Sequence, residues 1–162
     1  MNSCWRSGVR TGGRTFGFRV EDDRSSLTYI SDHSPTSLGP GPDGLGERHE
    51  AALDLARDTD VLIHDAQHLA DQFPGVGVLG HASVEYCVEL AREAGAATLV
   101  LFHHAPSRTD GEVDAILQHA QTLAAGELTV LAAYEGLVLD LSAPTDPPSE
   151  GRPAHAAAVQ EL

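Results

Sequence analysis

Three apolar runs in this chain end in residues able to bind metal or move protons. Leu27-Thr-Tyr-Ile30 leads through Ser31 into Asp32-His33, Asp60-Val-Leu-Ile63 leads into His64-Asp65, and Thr98-Leu-Val-Leu-Phe102 leads into His103-His104. If these runs are parallel strands, their C-terminal ends open onto one crevice, where a carboxylate and imidazoles from different strands can converge as metal ligands. A fourth group, Gly80-His81-Ala82-Ser83, stands at a helix start, whose positive end favours an anion. A crevice of this kind beside an anion site suits metal-assisted hydrolysis of an anionic ester.

The elements that must carry these residues follow from periodicity. Thr15–Val20 alternates apolar and polar residues and, with Leu27–Ile30 after the polar turn Glu21–Ser25, makes a hairpin. Ser34–Gly46 holds Gly or Pro at seven positions and is loop. The runs after Asp60 and from Thr98 are continuously apolar, the pattern of strands buried on both faces. Glu47–Arg57 supports a modest helix with Ala52, Leu53 and Ala56 on one face. Ser83 caps a helix over Val84–Ala94 whose stripe is Val84, Cys87, Val88 and Ala91, and Gly95 ends it. Thr109 and Glu112 form a capping box for a further helix that stops at Gly126, and Leu128–Leu131 and Leu137–Leu141 read as closing strands. Alternating strands and helices imply an α/β class with a mixed sheet.

The 162 residues include 10 basic groups, all arginine, against 24 acidic ones, for a net charge of −14. That balance argues against a nucleic-acid coat or a membrane-surface binder, both of which must neutralise phosphates. Hydrophobic residues at 41% rule out a disordered protein, and no apolar run approaches a membrane span. Cys4 and Cys87 cannot make a disulfide framework, and no secretory signal is recognisable, so the cytoplasm is the expected compartment. Residues 1–13 are expected to be a disordered arm, 14–141 the working domain and 142–162 a disordered Pro/Ala-rich tail. The arginines at 6, 10, 14 and 19 read as a solvated terminus.

Several pieces occur in an order that resembles the C-terminal half of a metallo-β-lactamase-fold hydrolase, from the branch of ribonuclease Z and the cyclic-phosphate phosphodiesterases. They are Gly17-Phe-Arg-Val20 with Leu27-Thr-Tyr-Ile-Ser-Asp32, Asp60-Val-Leu-Ile-His-Asp-Ala66, Gly80-His-Ala-Ser83, Ala96-Ala-Thr-Leu-Val-Leu-Phe-His103 and Glu135-Gly-Leu-Val-Leu139. The resemblance implies half of an αββα sandwich, with a mixed sheet and helices on one side. It implies that Asp32 bridges two divalent metal ions, zinc or manganese, and that His103 is the last histidine ligand of the second. It further implies that His81 sits on the substrate phosphate and helps protonate the leaving oxygen, oriented by Asp65, which stands where ribonuclease Z has a glutamate. Such an imidazole–carboxylate pair is a competent general acid.

The resemblance also implies a Thr-His-x-His-x-Asp-His motif upstream, and the 31 residues before Asp32 contain none. Two ligands cannot satisfy even one tetrahedral zinc without water or another partner. The expected product is therefore a truncated, inactive phosphodiesterase that binds metal weakly. Its expected substrate is a small anionic phosphoester. Nucleic acid is disfavoured, because an acidic surface repels it. An exposed sheet face gives a route to homo-oligomers. The alternative is a non-catalytic α/β binding or oligomerisation module. His64 reads as a hydrogen-bonded core residue, His33 and His104 as neighbours of the site, and His49, His68 and His119 as surface or structural histidines.

Overall fold

The computed structural model describes residues 3–10, 14–73 and 75–141. Six strands form one sheet in chain order: β1 (Ser3–Arg10), β2 (Arg14–Glu21), β3 (Ser26–Ile30), β4 (Val61–Asp65), β5 (Thr98–Phe102) and β6 (Thr129–Ala132). The first two pairings are antiparallel and the remaining three parallel, so the sheet is mixed. Helices α1 (Glu50–Ala56), α2 (Val84–Ala94) and α3 (Asp110–Ala124) cover the sheet, α1 lying over β2 and β3, α2 over β4 and β5, and α3 over β6.

Strand register explains why one face carries the core. Thr28, Leu62, Leu99 and Val130 are cross-strand partners, and all four are buried. Period-two alternation puts the row Phe18, Tyr29, Ile63, Val100 and Leu131 on the opposite face. Among the described residues that second face is only partly covered at the β2 end, with Phe16, Phe18 and Val20 exposed by 43%, 41% and 47%.

The β2 residues between them serve α1. A Cβ on Gly17 would lie 2.6 Å from Leu55 Cδ2, so glycine is what lets the helix approach the strand. Arg19 donates from Nη1 to the carbonyls of Leu55 (3.1 Å) and Arg57 (2.6 Å), satisfying acceptors that the helix end leaves open. Arg19 is thus a seated capping residue and not part of a solvated terminus.

Local signals account for the other helices. Ser83 accepts from the Tyr86 N–H at 3.1 Å, and Gly95 ends α2 with φ 72°. Thr109 and Glu112 make the expected capping box on α3. Three expectations differ from the structure. Ser3–Arg10 forms a strand inside the segment 1–13 set aside as an arm, because its backbone pairs along the whole length of β2. The helix expected from Glu47 starts at Glu50, as the loop is still held by the Glu47 N–H donating to the Gly39 carbonyl at 3.0 Å. Leu137–Leu141 keeps its alternating burial but forms no strand: the chain turns after β6, the Leu137 N–H donating to the Tyr134 carbonyl at 3.1 Å, and the run joins no ladder. The tail expected over 142–162 lies outside the described residues. Among those described, no helix is long and apolar enough to cross a membrane.

Candidate metal and acid–base site

The parallel order β3-β4-β5 brings three strand exits side by side, and each delivers one or more of the residues singled out above. Asp32 follows β3, Asp65 ends β4, His103 follows β5, and His81 arrives on the turn before α2. One ligand atom each from Asp32, His81 and His103 lies within 4.8 Å of the others. His103 Nε2 is 3.8 Å from Asp32 Oδ1, and the rings of His81 and His103 stack with centroids 4.7 Å apart.

Backbone geometry at two of these positions is unusual. Asp32 has φ 51° and His103 φ 58°, in the left-handed region that side-chain-bearing residues rarely occupy. A cost of about 1 kcal/mol or more at each is tolerated only where surrounding structure imposes it. Here the chain turns sharply just beyond each strand, aiming a candidate metal-binding side chain into the crevice.

Hydrogen bonds orient both imidazoles. Asp65 is fully buried, and its Oδ2 accepts from His81 Nδ1 at 2.7 Å and from the His33 N–H at 3.1 Å, while Oδ1 accepts from the Gln67 N–H at 3.2 Å. Burial pushes the Asp65 carboxyl upward, and the hydrogen bond and charge of His81 oppose that rise. Ser31 Oγ donates to Asp32 Oδ2 at 2.8 Å, so at 3.4 Å from His103 Nδ1 it can only accept. With each Nδ1 proton engaged, His81 and His103 both offer the Nε2 lone pair to the crevice. A carboxylate with two such imidazoles suits a divalent ion such as zinc or manganese, and oxygen acceptors behind the rings are what metal-binding histidines use to fix their orientation. The residues therefore fit a divalent metal held by Asp32 and His103, the pair that the sequence singled out for this role, with His81 beside them.

Other histidines fall elsewhere. His33 and His64 are fully buried; burial holds His33 well below the ordinary imidazole range and His64 down to about 4. His104 turns away, donating from Nε2 to the Ala133 carbonyl at 3.2 Å. His68 is buried, its ring 6.0 Å from that of His81, and its Nε2 has no hydrogen-bond partner. It also lines a cleft of about 840 Å³ together with Gln72, Ser107, Arg108, Ile116 and His119. Sequence reasoning missed both the cleft and His68, since a loop histidine carries no periodic signal.

Comparison with known proteins gives a consistent result. The family model described as "Beta-lactamase superfamily domain" matches residues 2–104. Ribonuclease Z of Thermoplasma volcanium is 40% identical over 57 residues, covering 35% of this chain and 19% of that protein. Ribonuclease Z of Geobacillus kaustophilus is 41% identical over 63 residues, covering 39% and 20%. Among solved structures, the metallo-beta-lactamase fold protein YhfI from Bacillus subtilis superposes with a TM-score of 0.62 at 18% identity, covering 84% of this chain and 48% of that one. The short form of human tRNase Z gives 0.57 at 19%, covering 85% and 42%. The matches span about a fifth of the curated relatives' length and under half of these two structures. These relatives bear the names of ribonucleases, which overturns the expectation that nucleic acid is disfavoured. The physical reason is range. Net charge does not describe the field at the site, because exposed charges beyond about 8 Å are largely screened at physiological salt.

Proposed function

The chain belongs to the beta-lactamase superfamily domain family, and from that premise we propose that it is a metal-dependent phosphodiesterase acting on RNA. The observation that carries the proposal is the Asp32–His81–His103 cluster backed by the Asp65–His81 hydrogen bond at 2.7 Å. Ribonuclease relatives and the tRNase Z neighbour support RNA as the substrate class.

Asp32 and His103 would hold a divalent ion, which supplies charge to the phosphate and lowers the pKa of a bound water, and His81 stands beside them with its Nε2 left free to carry a proton. The remaining work belongs to the chain's own side chains. Asp65, buried and hydrogen-bonded from three sides, keeps the His81 Nδ1 proton in place, so that Nε2 faces the crevice. Once protonated at Nε2, with Asp65 stabilising the imidazolium, His81 can hand that proton to the departing ribose oxygen. The cleft beyond His68 would take the RNA on one side of the scissile phosphate. Arg108 lines it, anchored by donating from Nη2 to the Gln67 carbonyl at 2.8 Å.

With His81 acting as the acid, two protein ligands leave most of the ion's coordination to water, and the described residues offer no second cluster. The chain alone therefore binds one ion and binds it weakly. Equilibrium dialysis against zinc and manganese should give one equivalent, lost in Asp32→Ala and His103→Ala. Cleavage of an end-labelled RNA should require the ion and fall in His81→Gln. Two tightly held ions would refute the single site, and metal binding without any RNA cleavage would refute the activity.

A further inference from the structure

Directly behind Asp65 lies a second constellation, made of residues to which the proposed reaction gives no role. His64 Nδ1 is 2.7 Å from the Asp65 carbonyl oxygen, which can only accept. The proton of neutral His64 is therefore on Nδ1, and its Nε2 is an acceptor. His33 Nδ1, 3.0 Å from that Nε2, must donate to it. That leaves His33 Nε2 as an acceptor, and His49 Nδ1, at 2.9 Å, donates in turn. One backbone carbonyl thus dictates the protonation pattern of three imidazoles in series.

The chain of rings crosses several elements. His49 is the N-cap residue of α1, His33 follows the exit of β3, and His64 lies in β4. From α2, Cys87 donates its S–H to the same Asp65 carbonyl at 2.9 Å. His33 also has a backbone role, because its N–H donates to Asp65 Oδ2, the oxygen that receives the His81 proton. The residue before it is Asp32, held at φ 51°. Wherever the His33 ring is pinned, both Asp32 and one of the three donors to Asp65 are pinned too. Apolar side chains would fill this volume at lower desolvation cost, but they would not set a direction or a register.

We propose that His49, His33 and His64 are positioning residues: their one-way hydrogen-bond chain locks the β3 exit to β4 and so holds Asp65 Oδ2 against His81 Nδ1. The inference rests on the acid–base reading of Asp65 and His81, and its primary readout, ring tautomers, is independent of turnover. Histidine-selective ¹⁵N labelling of the full chain, read through long-range ¹H–¹⁵N correlations, should show His33, His49, His64 and His81 all as Nδ1–H tautomers. His33→Phe keeps an aromatic ring in the volume and deletes both nitrogens. In that variant the His81 Nδ1–H population should fall, and kcat for RNA should drop about tenfold or more with KM little changed, the scale seen when partners behind metal-site histidines are lost. At the half-buried end of the chain, His49→Ala should leave His33 as the Nδ1–H tautomer that His64 dictates but loosen the β3 exit, seen as a smaller His81 Nδ1–H population, and His49→Gln, whose amide can still donate, should restore that population. An Nε2–H tautomer at any of the three rings in the unaltered chain overturns the proposal. So does a folded His33→Phe variant with His81 unchanged. Should that variant not fold, an unchanged His81 Nδ1–H population in His49→Ala overturns it equally. A protein without activity but with the stated tautomers would refute the reaction and leave the positioning chain standing.

Discussion

Asp65 is where the residue scale decides most. Both carboxylate oxygens are occupied, Oδ2 by the His81 ring and the His33 N–H and Oδ1 by the Gln67 N–H, so the group acts through its partners and not on solvent. Asp65→Asn keeps the shape and removes the charge that steadies a protonated His81. We expect kcat for RNA to fall roughly 10–100-fold while metal stoichiometry is kept, which dialysis and initial rates would check together. His64 yields a stability prediction. Its folded value of about 4 lies below the ordinary 6.5, so the unfolded chain binds the extra proton in between. The contribution is present in full above pH 6.5, declines as pH falls towards 4, and amounts to about 3 kcal/mol at most. Urea melts at pH 7 and pH 4.5 should show the loss, and His64→Gln should flatten it. Asp32, Asp65, His81 and His103 were legible as candidates because each stands where an apolar run or a helix cap gives way to an ionisable group. The ring chain was not legible. His33, His49 and His64 have no shared spacing, and only the fold brings them into line.

Elements were legible where local chemistry ends them. The bounds of α2 are those that Ser83 and Gly95 dictate, and the capping box of α3 forms between the expected residues. Elements were illegible where tertiary pairing decides. β1 exists because its backbone pairs with β2, whereas the alternating run from Leu137 to Leu141 stays out of the sheet although β6 stands at its edge. α3 shows both effects at its C-terminus. The sequence points to Gly126, yet the left-handed turn begins one residue earlier, at Ala125 with φ 51°. An alanine there carries a steric cost that glycine avoids. Ala125→Gly should therefore raise stability by about 0.5–1 kcal/mol, seen as a higher denaturant midpoint at unchanged slope. The left-handed turns at Asp32 and His103 differ in kind, because glycine there would relieve the backbone and delete a side chain of the candidate metal site.

Across the whole molecule, the two faces of the sheet have different fates. One is buried under three helices, and its row from Thr28 to Val130 is closed to water. On the other, Phe16, Phe18 and Val20 stand about half exposed at the β2 end, next to the partly buried Leu27 and Tyr29. Net charge hid this asymmetry, because −14 summed over the chain describes neither face nor crevice. The site hangs from the strand ends and the helix-side core, so altering the open face should leave it intact. Contiguous exposed apolar side chains recruit apolar dyes as they would any apolar surface. The chain should therefore enhance 1-anilinonaphthalene-8-sulfonate fluorescence while folded. Phe16→Thr combined with Phe18→Thr, which keeps β-propensity, should cut that signal severalfold. Far-ultraviolet circular dichroism and metal stoichiometry should not change. A folded parent chain that fails to bind the dye would show the face to be covered, and a double variant that loses metal would show the two faces to be coupled through β2.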